Sequence, residues 1–221
     1  MIKRGVSLIL FMIIGFSILS AQEIVTAANY LGMVSDVYAS LRDYEASVVI
    51  RSGNNDMTGT VSFRSPNFMR IDFTRPANQV IVFNGEALTV YLPEFRAVLT
   101  QDVPRRSSSS SAGLSMLRNN FSPAYLTGPN PEPLYSGSSE RVIKLRLTRN
   151  RVSEGFREII LSINPETRLI RRIEGRTIAE AEIRIDFTSI RTNVGVPEAR
   201  FAYDNPPNAN MYHNFLFRDT D

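Results

Sequence analysis

Residues 59–99 read GTVSFRSPNFMRIDFTRPANQVIVFNGEALTVYLPEFRAVL. Val61 and Phe63 alternate with Thr60, Ser62 and Arg64, and Met69, Ile71 and Phe73 alternate with Arg70, Asp72 and Thr74, the period of a sheet with one dry and one wet face. Turn formers separate the runs at Ser65-Pro66-Asn67, Arg75-Pro76-Ala77-Asn78, Asn84-Gly85 and Leu92-Pro93-Glu94, so the stretch is a strand meander. Asn84-Gly85 suits the centre of a two-residue type I′ turn, which needs positive φ at both positions. That turn would pair Phe83 with Glu86, Ile81 with Leu88 and Gln79 with Val90. Ile81, Phe83, Leu88 and Val90 would then share the drier face, and Val80, Val82, Ala87, Thr89 and Tyr91 the other.

Working outward, Met1–Ala21 carries Lys3 and Arg4, an apolar run from Val6 to Leu19 and the small-residue end Leu19-Ser20-Ala21, the pattern of an export signal cleaved near Ala21. The run is shorter than the ~20 residues that span a bilayer. Between Glu23 and Leu41, Ile24, Ala27, Ala28, Leu31, Val34, Tyr38 and Leu41 recur at spacings of three and four, an amphipathic helix made to pack on a sheet. A strand over Tyr44–Arg51 and a loop at 52–56 lead into the meander. Residues 102–139 break the sheet pattern with a serine run (Ser107–Ser111), a helical stretch bearing Leu114, Leu117 and Phe121, and Pro123, Pro129, Pro131 and Pro133 as breakers, as a lid or binding insertion would. Strands resume over 142–148, 156–163, 169–174 and 178–190, and a last short strand is expected at Arg200–Tyr203 before Pro206-Pro207. The order implies one α+β domain over residues 22–221: a strongly curved antiparallel sheet forming an incomplete, open β-barrel with helices covering its concave face. A closed barrel with an outside helix is the alternative.

Composition narrows the chemistry. There is no cysteine, which removes disulfides, thiolate metal sites and a lipidated cysteine after the signal. Among 25 basic residues only Lys3 and Lys144 are lysines, and losing Lys3 and Arg4 with the signal leaves 23 basic against 22 acidic residues. Nucleic-acid binding calls for a concentrated basic excess, so no nucleic-acid partner is expected. His213 is the single histidine, and no phosphate-cradling loop, nucleophile elbow or zinc motif occurs; no metal, cofactor or enzymatic activity is expected. Glu174, Glu180, Glu182 and Asp186 alternate with arginines as on a solvated sheet face with cross-strand pairs. The arginines between Arg146 and Arg184 could instead dock anionic headgroups, because guanidinium grips phosphate in a bidentate fashion.

The order Gly59, Ser65-Pro66-Asn67-Phe68, Thr74-Arg75-Pro76, Val80-Ile81-Val82, Asn84-Gly85, Leu88, Tyr91 and Pro93 resembles the LolA family of periplasmic carriers of outer-membrane lipoproteins, and the resemblance extends over roughly Glu23–Phe217. It implies a soluble periplasmic protein, a monomer by expectation, that takes acylated lipoproteins from an inner-membrane ABC transporter to an outer-membrane acceptor or to the outer membrane itself. The sister acceptor family is lipidated, so the absence of cysteine favours the soluble carrier. Burial of acyl chain is worth ~0.8 kcal/mol per methylene, so a three-chain anchor needs a cover worth on the order of 30 kcal/mol in water. Val48, Ile50, Val61, Phe63, Ser65, Met69, Ile71, Phe73, Ile81, Phe83, Leu88, Val90, Leu145 and Leu147 are candidates to line such a cavity, and Leu31, Val34, Leu114, Leu117 and Phe121 to form its lid; ordinary core packing is the competing reading. Family carriers have arginine before the proline matching Pro66, where it latches the lid. Here that position is Ser65, and Arg64, one residue earlier, is expected to point with Ser62 to water, so that either a local bulge re-aims Arg64 or the latch is absent or built from another residue. A lipid- or lipoprotein-sensing regulator, or a structural envelope module of the same fold, is the alternative function.

Overall fold

Thr26 opens the first element: its hydroxyl accepts the Asn29 N–H at 3.2 Å, capping α1 (Ala27–Ser40) at a position that would otherwise leave a donor orphaned. The computed structural model describes residues 25–103, 114, 117–150 and 155–215. The export signal, the serine run and Phe217 lie outside the described residues.

Leu41 ends the helix in extended backbone, and the chain runs directly into β1 (Asp43–Ser52), β2 (Asn55–Arg64), β3 (Phe68–Arg75), β4 (Val80–Asn84), β5 (Ala87–Leu92) and β6 (Ala97–Asp102). After the insertion come β7 (Phe121–Tyr125), β8 (Glu132–Pro133), β9 (Arg141–Arg149), β10 (Phe156–Ile163), β11 (Ile170–Thr177), β12 (Glu182–Thr192) and β13 (Asn210–His213). They form one sheet in the order β13-β6-β5-β4-β3-β2-β1-β12-β11-β10-β9-β7, with β8 pairing β9. Its two terminal strands do not pair, so the curved sheet is open, as expected. The connection from β6 to β7 joins opposite ends of the strand order.

Near-perfect register carries the alternation of each strand across the sheet. One row runs Tyr44, Phe63, Met69, Phe83 and Leu88 from β1 to β5, and the next runs Ala46, Val61, Ile71, Ile81, Val90 and Leu99 from β1 to β6. These side chains lie on the inner face, the face that α1 covers further along the sheet. Gly59 opposes Phe73 beside a register shift, and a Cβ there would stand 2.3 Å from the Asp72 carbonyl oxygen; no other residue permits so close an approach of the two backbones.

Four expectations are corrected. The tight hairpin centres on Gly85-Glu86, one residue later than expected, and pairs Phe83 with Leu88 and Ile81 with Val90. Asn84 acts outside the turn centre, its Oδ1 accepting the N–H of Glu86 at 3.0 Å and of Ala87 at 2.9 Å, while Gly85 takes the positive φ of 90°. Each β4 residue thus meets a partner two residues later than expected, an even shift, so Ile81, Phe83, Leu88 and Val90 still share a face. Phe121 begins β7 opposite Arg149 and is not part of the insertion helix, although Leu114 and residues 117–120 are helical. The loop expected at 52–56 is a two-residue turn, because Ser52 already pairs with Asn55. Finally, Arg200–Tyr203 is not a strand: Glu198–Phe201 is a short 3-10 turn, and the last strand is β13, which pairs with β6 in parallel.

Candidate functional site

The inner face divides into two halves with the same chemistry and different cover. On the first, α1 lies over β9, β10 and β11. Leu31 and Val34 from the helix and Leu145, Leu147, Leu161 and Ile163 from the sheet are fully buried. Leu114 and Phe121 join this cluster as buried members and Leu117 as a partly buried one. The helix is tied down at both ends by tyrosine hydroxyls: Tyr125 Oη donates to the Val25 carbonyl at 2.8 Å, and Tyr38 Oη accepts the Ile170 N–H at 3.0 Å. Of the cavity candidates, Leu145 and Leu147 therefore sit in filled core.

On the second half the cover thins. Val48, Val61 and Phe73 are buried, and Val48 and Val61 pack with Ile50, Met69 and Ile71. Ile50, Phe63, Ser65, Met69, Ile71, Ile81, Phe83, Leu88 and Val90 are only half-buried. In register they make an apolar wall over β2 to β5 with part of its surface open. Gln101 follows Leu88 on β6, so the wall turns polar at that edge.

A cleft of about 100 Å³ lies at the seam between the halves, lined by Tyr38, Tyr44, Ala46, Leu169, Ile170, Ile173, Phe187 and Ile190. Tyr38 lies on the helical stripe read from the sequence, but nothing in the sequence brings the end of α1 against β1, β11 and β12. Burial pushes the Tyr38 phenol up to about 12, with the Ile170 N–H pulling the other way, and raises Tyr44 further. Both stay protonated in the fold where the unfolded chain ionises near pH 10. The native state then holds more protons than the unfolded one, so stability is intact below pH 10 and falls as pH rises above it, by about 1.4 kcal/mol per pH unit for each tyrosine. Burial raises Tyr30, Tyr125 and Tyr203 as well. Urea unfolding between pH 9 and 11.5 should therefore show a combined slope, and Tyr44→Phe should reduce it by about 1.4 kcal/mol per pH unit without abolishing it.

The outer face of the meander is not wet. Residues 193–204 cross it as a strap whose Val196 and Phe201 bury Val80 and Val82, with Phe68, Tyr91 and Tyr203 packed alongside. The expectation that Ile81, Phe83, Leu88 and Val90 form the drier face is therefore reversed. Asp43 receives the start of the strap, accepting the Gly195 N–H on its carboxylate at 3.0 Å and the Asn193 N–H on its carbonyl at 2.8 Å. Arg70 donates to the Arg200 and Ala202 carbonyls at 3.2 and 3.0 Å and pairs with Asp72 at 2.9 Å, which also binds Arg200. Arg64 has the predicted parity but not the predicted solvent. It is half-buried beside fully buried Ser62 and donates to the Val196 carbonyl at 2.6 Å. Arg64, two residues before Pro66, thus holds the strap on the outer face.

Arginines of the second half are largely engaged. Arg172, Arg51 and Arg184 converge on Asp186, Arg171 binds Glu140, Arg146 binds Glu158, and Arg176 binds Glu182. A depression of about 400 Å³ beside Arg51, Glu158, Glu174 and Arg184 carries both signs of charge. This is the cross-strand pairing expected of the charged sheet face, although at its centre Arg172 is buried and the Asp186 side chain is only 15% exposed, so that part is not solvated.

Comparison with known proteins agrees with the fold and the meander. Residues 49–204 match the family described as outer membrane lipoprotein carrier protein LolA. An outer-membrane lipoprotein carrier protein of Bordetella avium is 22% identical over 175 residues, covering 78% of this chain and 80% of that protein. Among solved structures, an uncharacterized conserved protein from Thermus thermophilus superposes with a TM-score of 0.56 at 14% identity, covering 82% of this chain and 98% of that one. The Pseudomonas aeruginosa MucA/MucB complex gives a TM-score of 0.52 at 13% identity, covering 80% of this chain and 61% of that one; both likenesses concern the fold alone. Because the match spans most of the chain and includes the meander from which the sheet is built, this protein belongs to the LolA family.

Proposed function

We propose that the protein is a periplasmic lipoprotein carrier, exported by a signal cleaved near Ala21, that receives acylated lipoproteins released by an inner-membrane ABC transporter and delivers them to an outer-membrane acceptor or to the outer membrane. The observation that carries this reading is the division of the inner face. One half is filled by a buried core beneath α1, while the wall over β2 to β5 keeps apolar area half-open. An acyl chain laid on that wall gains ~0.8 kcal/mol for each methylene removed from water, and because the wall is not sealed by dense core, release does not require unfolding. The family match and the carrier names of its relatives support the same reading.

Purification of the mature protein from its native periplasm, followed by mass spectrometry of bound material, tests it. A mixture of acylated lipoproteins at about one per protein is the expected result. Recovery of one unacylated protein partner in place of lipoproteins would replace carriage with the regulator reading.

A further inference from the structure

The seam cleft contains an arrangement that acyl-chain burial alone does not use. Tyr38 and Tyr44 are the hydroxyl-bearing residues of an otherwise aliphatic and aromatic lining. Their rings meet edge to face at 6.2 Å, and Tyr44 stacks on Phe63 at 5.0 Å, so both phenols are held by their neighbours. The Tyr38 oxygen takes the Ile170 N–H, which leaves its proton to be donated. Among the described residues neither phenol proton has an acceptor, so each is available to donate to a ligand group that enters the cleft. Because burial keeps both phenols neutral, each is a donor throughout the physiological pH range and neither attracts a cation.

Phe63 connects this polar point to the open wall. It is the register partner of Tyr44 on one side and of Met69 on the other, and Met69 in turn faces Phe83. A chain lying along that row from Phe83 toward Phe63 reaches the tyrosines at its end. We propose that Tyr38 and Tyr44 form a polar subsite that hydrogen-bonds the carbonyl oxygen of an ester- or amide-linked acyl chain, with the hydrocarbon running away from it along the wall. This rests on the acyl-binding reading above and adds that the pocket distinguishes an acyl group from a plain alkane. A neutral carbonyl fits two neutral donors; a free carboxylate would enter the same apolar cleft only at the cost of desolvating its charge.

The test measures displacement of a bound environment-sensitive dye by methyl myristate and by tetradecane, using the mature wild-type chain, Tyr38→Phe and Tyr44→Phe. Wild type should favour methyl myristate. Each variant should weaken methyl myristate about five- to tenfold, one hydrogen bond's worth, and leave tetradecane unchanged. Tyr38→Phe also loses the Ile170 bond, so Tyr44→Phe, which removes only an oxygen, is the deciding variant, with thermal melts as the folding control. Unchanged methyl myristate affinity in Tyr44→Phe, or equal weakening of both probes, overturns the subsite and leaves acyl binding standing. If wild type binds neither probe, the acyl-binding reading falls and the subsite with it.

Discussion

Phe83→Asp abolishes binding of an acylated peptide, with a loss of at least about a hundredfold in affinity, while the far-ultraviolet circular dichroism and the cooperative melt are retained. Phe83 lies on the inner face in register with Met69 and Leu88 and is only half-buried, so in the free protein an aspartate there stays hydrated and the cost to folding is about 1 kcal/mol or less. In the complex the carboxylate would have to lie against hydrocarbon without a partner, at a cost of several kcal/mol, or about 3 kcal/mol at the hundredfold threshold. Leu161→Asp provides the contrast. It stands on the same face of the same sheet, fully buried beneath α1, and should unfold the protein, because a loss of about 4–5 kcal/mol or more consumes much of a domain's stability. A pair of variants with one chemistry and opposite outcomes locates the boundary between wall and core. Wild-type affinity in Phe83→Asp would move the acyl site off the wall altogether.

The second large effect concerns the strap. Phe201→Ala removes the largest buried side chain of the outer cluster and should cost about 3–5 kcal/mol in urea unfolding, as truncations of buried aromatics do. Arg70→Ala removes two carbonyl contacts and one arm of the Arg70–Asp72–Arg200 cluster, and should cost about 2–3 kcal/mol because the orphaned partners stay partly buried. Both variants should also speed amide exchange in β13, which is reached only through residues 202–209 and whose Asn210 N–H bonds the Arg96 carbonyl at 2.7 Å. Accelerated exchange confined to β13 with unchanged global stability would mean that the strap anchors the edge strand without holding the meander.

Much of this molecule is legible in its sequence, because the relevant physics is local. Alternation in 59–99 depends on the two-residue repeat of a strand, the α1 stripe on 3.6 residues per turn, and the hairpin on the backbone freedom of Gly85; each operates within a few residues. Even the displaced hairpin kept its faces, since a two-residue shift of the pairing preserves parity. What alternation cannot show is which face is covered. Val80 and Val82 are buried by Val196 and Phe201, more than a hundred residues away, and Arg64 finds its acceptor at Val196. Leu145 and Met69 belong to equivalent apolar rows, yet α1 fills the first half of the inner face and leaves the second half open. The list of apolar wall residues was therefore readable from the chain by itself, through the pleat. The tertiary structure alone decided which of them became core and which stayed open to a ligand, because burial depends on what the rest of the chain lays over each face.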